Sequence, residues 1–161
     1  MKKAIGCLLF ILISYASLAQ EVEVIKYDAL DQMIAEKDGK FKVFNFWATW
    51  CRPCVKELPY FEALHKEYKD GNLEVILVSF DFVENLDSKL IPFLQRKNIT
   101  AKVVLLDETD FNSFVNKVSP SWSGALPATL MVNTNGTKHF YEKEFHEGEL
   151  KQLVLKHNNK L

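Results

Sequence analysis

Two cysteines three residues apart, in the run Trp50-Cys51-Arg52-Pro53-Cys54, are the side chains of this sequence best suited to chemistry. A cysteine thiolate attacks disulfides, and a second thiol one helical turn away can resolve the mixed disulfide that forms. Such a pair works best at a helix N-terminus. There the unpaired N–H groups carry partial positive charge and favour a thiolate. On this reading Cys51 is the exposed nucleophile, with a pKa expected below that of a free thiol. Cys54 begins the face that packs inward and is the buried resolver. Arg52 adds positive charge where its side chain turns toward the sulfur. Pro53 is accepted because the first helical turn needs no N–H from it.

Other chemistries for the pair are weaker. A zinc site needs about four ligands. Beyond the pair and Cys7 there are only His65, His139, His146 and His157, with no paired spacing. No metal is expected. A c-type haem site needs His directly after the second cysteine, and Val55 stands there. An inert structural disulfide is the plain alternative. A loop this short removes little entropy from the unfolded chain, so redox work is the better reading.

The elements around the pair support that placement. Phe41 to Trp47 is rich in aromatic and β-branched residues and reads as a buried strand ending just before Cys51. Arg52 to Lys69 has helical periodicity, with Leu58, Phe61 and Leu64 on one face and Gly71-Asn72 after it. Further strands are expected at Glu21–Lys26, Leu73–Phe80, Val103–Leu106, Thr129–Asn133 and Lys138–Tyr141. Helices are expected at Tyr27–Lys37, Leu86–Lys97, Phe111–Val118 and Glu147–His157. Asn135-Gly136 marks a hairpin turn between the last two strands. Strands alternating with helices indicate an α/β sandwich with a mixed sheet. No repeat, linker or low-complexity segment divides it.

Residues 1–19 read as a cleaved signal peptide: Lys2 and Lys3, then an apolar run, then small Ser17 and Ala19. An uncleaved anchor is the lesser alternative, because the run is short for a membrane span. One domain then covers residues 20–161, in an exported protein of the periplasm or cell envelope. Cleavage removes Cys7, the third of three cysteines, and leaves Cys51 and Cys54 as the only thiols. The formal net charge of the whole chain is -1 and no basic stripe occurs, which gives no electrostatic case for nucleic acid.

Asn45-Phe46-Trp47-Ala48-Thr49-Trp50-Cys51-Arg52-Pro53-Cys54 closely resembles the active-site run of the TlpA/ResA-type branch of the thioredoxin-like superfamily. Pro59 matches that family's proline within the active-site helix. Gly124-Ala125-Leu126-Pro127-Ala128-Thr129 resembles its cis-proline segment. The resemblance implies a thioredoxin fold, a central mixed sheet flanked by helices, with an inserted helix–strand unit before the cis-proline. That unit, Leu86–Lys97 with Val103–Leu106, either extends the sheet or shapes partner recognition. The resemblance also implies a cis Pro127 beside the cysteines, substrate contacts from Trp50 and the Leu126 backbone, and Asn45 where classical thioredoxin has aspartate. Glu57 takes the place of a glutamate that relays protons to the second cysteine. The alternative for Glu57 is a solvated helix glutamate.

The implied activity is thiol–disulfide exchange with protein substrates, in the reducing direction. Apocytochrome c is one substrate candidate and a membrane thiol transporter a donor candidate. No cofactor is implied beyond the Cys51–Cys54 disulfide. Oxidase or isomerase action, a thiol peroxidase using Thr49 and Arg52, and a non-catalytic binding module are the competing readings.

Overall fold

The computed structural model describes residues 21–158. The expected signal peptide and Cys7 lie outside the described residues. Six strands form one sheet: β1 (Glu23–Ile25), β2 (Phe41–Trp47), β3 (Leu73–Ser79), β4 (Lys102–Leu106), β5 (Ala128–Val132) and β6 (Lys138–Tyr141). Their spatial order is β1-β4-β3-β2-β5-β6. The first four pair parallel, and β5 and β6 add antiparallel. The helices are α1 (Tyr27–Ala35), α2 (Arg52–Tyr68), α3 (Ile91–Lys97), α4 (Val115–Val118) and α5 (Glu149–His157). Among the described residues no helix is long and apolar enough to cross a membrane.

β2 is buried along its whole length, as its near-continuous apolar run requires of a central parallel strand. Its side chains alternate between the two layers. Lys42 reaches the end of α1, where its Nζ donates to the Met33 carbonyl at 3.3 Å and to the Glu36 carboxylate at 2.7 Å. Asn45 and Trp47 face the other layer, meeting Glu57 of α2 and the Phe93 ring of α3. The strand thus ends with α2 already overhead, and the intervening loop must turn sharply at Cys51.

Two elements differ from the sequence reading. The expected helix Phe111–Val118 is a single 3₁₀ turn at Phe111–Ser113 followed by the one-turn α4. The Asp110 carboxylate accepts from Asn112 N–H at 3.0 Å and draws the backbone into a local turn instead of a continuous helix. The expected helix Leu86–Lys97 is wound as a π-helical turn over Leu86–Leu90 before α3. Pro92 lacks the N–H that Ser88 C=O needs, and Ile91 N–H donates five residues back to Leu86 C=O. The inserted strand β4 does not lengthen the sheet at an edge. It lies inside, between β1 and β3.

Candidate active site

Cys51 is the N-cap residue of α2 and Cys54 lies in its first turn, with Pro53 between them. The two form a disulfide with a Cα separation of 5.3 Å. Cys54 N–H points back at Cys51 Sγ, at 3.4 Å. This is the free donor of a helix start, aimed at the outer sulfur. Cys54 is 0% exposed and Cys51 only 6%. Cys51 is thus the outer sulfur, but it is more covered than its expected nucleophilic role suggested. Arg52 is exposed and makes no ion pair among the described residues.

The disulfide opens into a cleft of about 490 Å³ lined by Trp50, Cys51, Arg52, Phe111, Ala125 and Leu126, among others. The Leu126–Pro127 bond is cis. Two carboxylates tie down the cleft walls. On one side, buried Asp81, just after β3, accepts from Thr49 N–H at 3.0 Å, from the Thr49 hydroxyl, and from the Ser79 hydroxyl at 2.8 Å. On the other, Glu142 accepts from the Ser123 hydroxyl, from Ser123 N–H at 3.0 Å and from Ala125 N–H at 3.1 Å. Trp122 Nε1 adds a bond to the Ala125 carbonyl at 2.9 Å. Neither carboxylate was singled out in the sequence. A lone acid after an apolar strand has no local signature. Replacing Asp81 with Ala strands three buried or half-buried donors and is expected to cost about 2–4 kcal/mol. The urea midpoint of the oxidised protein reads this directly. An unchanged midpoint would show that the loop holds without Asp81.

Glu57 is not a solvated helix glutamate. It is fully buried, three residues after Cys54 in α2. Its Oε1 accepts from Asn45 Nδ2 at 2.9 Å and its Oε2 from Phe145 N–H at 2.7 Å. Burial pushes its pKa up from 4.5 to about 7, against the lowering pull of those two bonds. Asn45 also donates toward Thr129 Oγ1 at 3.3 Å, while its own Oδ1 is buried without a partner. The two residues that the resemblance singled out separately therefore form one buried polar unit, Glu57 standing one helical turn after Cys54. His139 and His157, unpaired in sequence spacing, stack at 3.6 Å between ring centroids, and Tyr141 bridges to His157 Nε2 at 2.6 Å. No group of three or more His, Cys, Asp or Glu side chains is placed to hold a metal among the described residues.

Comparison with known proteins agrees with this geometry. The profile of the AhpC/TSA family matches residues 18–137. The thiol-disulfide oxidoreductase ResA of Oceanobacillus iheyensis is 33% identical over 103 residues, covering 64% of this chain and 49% of that protein. The thioredoxin-like protein YneN of Bacillus subtilis is also 33% identical over 103 residues, covering 64% and 56%. The ResA of Bacillus cereus reaches 46% identity over 98 residues, covering 61% and 51%. The chain thus spans about half the length of the curated relatives it matches. Among solved structures, a thioredoxin-related protein from Neisseria meningitidis serogroup B superposes with a TM-score of 0.61 at 24% identity, covering 73% of this chain and 84% of that one. A thiol:disulfide interchange protein from Chlorobium tepidum gives 0.61 at 17% identity, covering 74% and 81%. These likenesses show the thioredoxin-like fold. With the profile spanning both the disulfide turn and the cis-proline segment, the chain belongs to the AhpC/TSA family.

Proposed function

We propose that the protein is an exported thiol–disulfide oxidoreductase that reduces protein disulfides through Cys51 and Cys54. One observation carries the reading: the disulfide at the start of α2 faces an open cleft through Cys51 while Cys54 is sealed inside. In the reduced form, the Cys51 thiolate attacks a substrate disulfide. A Cys51–substrate S–S bond forms, the substrate bond breaks, and one substrate thiolate leaves. Cys54 then gives up its proton and attacks Cys51 Sγ, releasing the second substrate thiol. The substrate gains two electrons and the Cys51–Cys54 disulfide returns. A dithiol protein must reduce that disulfide again, and a membrane thiol transporter fits this role. Apocytochrome c fits as one substrate.

The surrounding groups have matching tasks. Cys54 N–H supports the Cys51 thiolate. Glu57, titrating near neutrality one helical turn after Cys54, is the group to take and return its proton. Asn45 holds Glu57. Trp50, Leu126 and Pro127 border the substrate. A peroxidase reading is weakened because the Thr49 hydroxyl already donates to Asp81.

The test is direct. Dithiothreitol reduction followed by alkylation should label both cysteines readily, and the reduced protein should cleave a peptide disulfide with loss of its own two thiols. A disulfide that resists reduction while the protein stays folded would leave a structural staple instead. Peroxide consumption without disulfide exchange would move the protein to peroxidase chemistry.

A further inference from the structure

Residues 142–148 join β6 to α5 without forming strand or helix. Such a segment has no hydrogen-bond ladder of its own, so the groups it reaches decide where its backbone lies. At its start the Glu142 carboxylate accepts from Ser123 N–H at 3.0 Å, from Ala125 N–H at 3.1 Å and from the Ser123 hydroxyl. Three residues on, Phe145 N–H donates to Glu57 Oε2 at 2.7 Å. One short stretch of chain therefore touches both the cleft wall that leads to the cis Leu126–Pro127 bond and the buried carboxyl of α2. Even fully extended, that stretch separates the two ties by no more than about 10 Å.

The wall end is shaped to hold a carboxylate. Gly124 has φ 93°, in the left-handed region, and its turn directs the N–H groups of the residues on either side toward one anion. Ala125, which lines the cleft, is held at its carbonyl as well, by Trp122 Nε1 at 2.9 Å. At the other end the buried Phe145 ring packs edge-on against Phe61 of α2 and Tyr141 of β6. The ties between these ends are weaker. Lys143 pairs with Glu149, and Lys56 Nζ stands 3.8 Å from Glu144 Oε1. Both lysines are exposed, and ion pairs in water hold little. Glu144 is also the charged neighbour of Glu57 on this segment and Lys56 the one on α2, while from β2 it meets the neutral Asn45.

We infer that Glu142 is a positioning residue for the proton of Glu57: the stretch 142–145 ties the cleft wall before Pro127 to the Glu57 carboxyl, so that the two are fixed, or loosened, together. This rests on the exchange reading above, in which Glu57 serves Cys54, and adds the residue that regulates that service. The sign comes from opposing influences on Glu57. Burial holds its pKa up, and the Phe145 N–H bond pulls it down. Freeing Glu142 from the wall lets the stretch drift, weakens the Phe145 bond and leaves burial less opposed. The carboxyl then keeps its proton to higher pH. Loss of the negative charge at position 142 acts the other way, because a nearby anion makes ionisation of Glu57 harder. The direction of the change thus tells the two causes apart. Coupling of this kind is reciprocal, so a substrate that moves the wall also moves the Glu57 equilibrium.

The experiment compares Glu142→Ala with Glu142→Gln, which remove the same charge. The Gln carbonyl keeps the Ser123 hydroxyl and Ala125 N–H bonds that Glu142 Oε1 accepts, and Ala keeps none. The Glu57 carboxyl of the oxidised protein is titrated by carbon-detected NMR, its signal assigned by its absence in Glu57→Gln. Glu142→Ala should raise its pKa by about 0.5–1 pH unit, as weakening of a hydrogen bond to a carboxylate requires, and Glu142→Gln by less than half as much. Should Glu142→Ala not fold, Ser123→Ala, which removes one of the three bonds, should give about half the rise. In the reduced protein the near-neutral limb of the exchange rate profile should move up in pH with the carboxyl. An unmoved carboxyl, even in a destabilised variant, reduces Glu142 to a structural tie and overturns the inference. So does an equal fall in both Glu142 variants, which is the charge acting alone, or a carboxyl that moves while the rate profile stays. If the parent protein exchanges no peptide disulfide at any pH, the exchange reading itself fails, whichever way the carboxyl titrates.

Discussion

Reduced Cys54→Ser protein, mixed with a peptide disulfide, is expected to accumulate a covalent mixed disulfide at Cys51 and to stop turning over. The reason lies in the depths of the two sulfurs. Only Cys51 borders the cleft, so only it meets a substrate. Cys54 is fully buried one turn along α2 and can reach nothing but Cys51. Removing it leaves the first bond-forming step intact and deletes the second. Cys51→Ser should instead abolish both exchange and trapping, because the buried thiol has no route to substrate. Exchange falls to the uncatalysed background in each variant. Serine at position 54 places a hydroxyl in a fully buried site and costs about 1–3 kcal/mol, which a melting curve separates from the loss of chemistry. Non-reducing electrophoresis with mass spectrometry reads the trapped adduct. An adduct on Cys51→Ser protein, and none on Cys54→Ser, would reverse the two roles.

The second large effect belongs to Glu57. Oxidised Glu57→Gln protein should match the parent in stability at pH 4 and exceed it by about 3 kcal/mol at pH 8. The sign follows from burial. The folded-state pKa is raised from 4.5 to about 7. Between those values the unfolded chain has shed its proton and the folded chain still holds one. Stability therefore falls as pH rises through that window and levels off above it. Glu62, whose carboxylate accepts from Thr100 N–H at 2.9 Å and Ala101 N–H at 3.1 Å, is lowered instead and loses its contribution as pH falls. The variant-minus-parent difference isolates Glu57 from such groups.

Gln fits the site for a specific reason. Its carbonyl can keep the Phe145 N–H bond, and its amide can donate to Asn45 once that side chain turns over. The buried Asn45 Oδ1, now without a partner, becomes the acceptor. The same turn would serve a protonated Glu57. A stability difference that does not change with pH would show that the carboxyl titrates as an ordinary one. If Glu57 moves the Cys54 proton, the same variant should also lose the near-neutral limb of the exchange rate profile. An unchanged profile removes the relay while leaving the stability result in place.

Much of this site was legible before any coordinates. The strand ending at Trp47 and the helix beginning at Arg52 both came out of periodicity and capping, which act over a few residues. That local geometry was enough to put Cys51 outside Cys54. The family resemblance pointed to Pro127, Asn45 and Glu57. The misread elements failed for equally local reasons. Asp110 pulled Phe111–Ser113 into a turn, and Pro92 broke the hydrogen-bond ladder that a regular helix needs.

The sequence by itself determined where the reactive pair lies, which sulfur is outermost and which elements frame them, because those depend on neighbours along the chain. Only the tertiary structure decided what surrounds the pair. Asn45 and Glu57 are twelve residues apart, Thr49 and Asp81 thirty-two, and Phe145 and Glu57 eighty-eight. Side-chain contacts at such separations leave no periodic trace. The Thr49–Asp81 contact exists because β2 and β3 run parallel and bring their C-terminal loops to one rim, and the Glu57 contacts exist because α2 meets β2 and the segment after β6. The same packing removes water from Glu57, and that desolvation turns an ordinary glutamate into a group that titrates near neutrality.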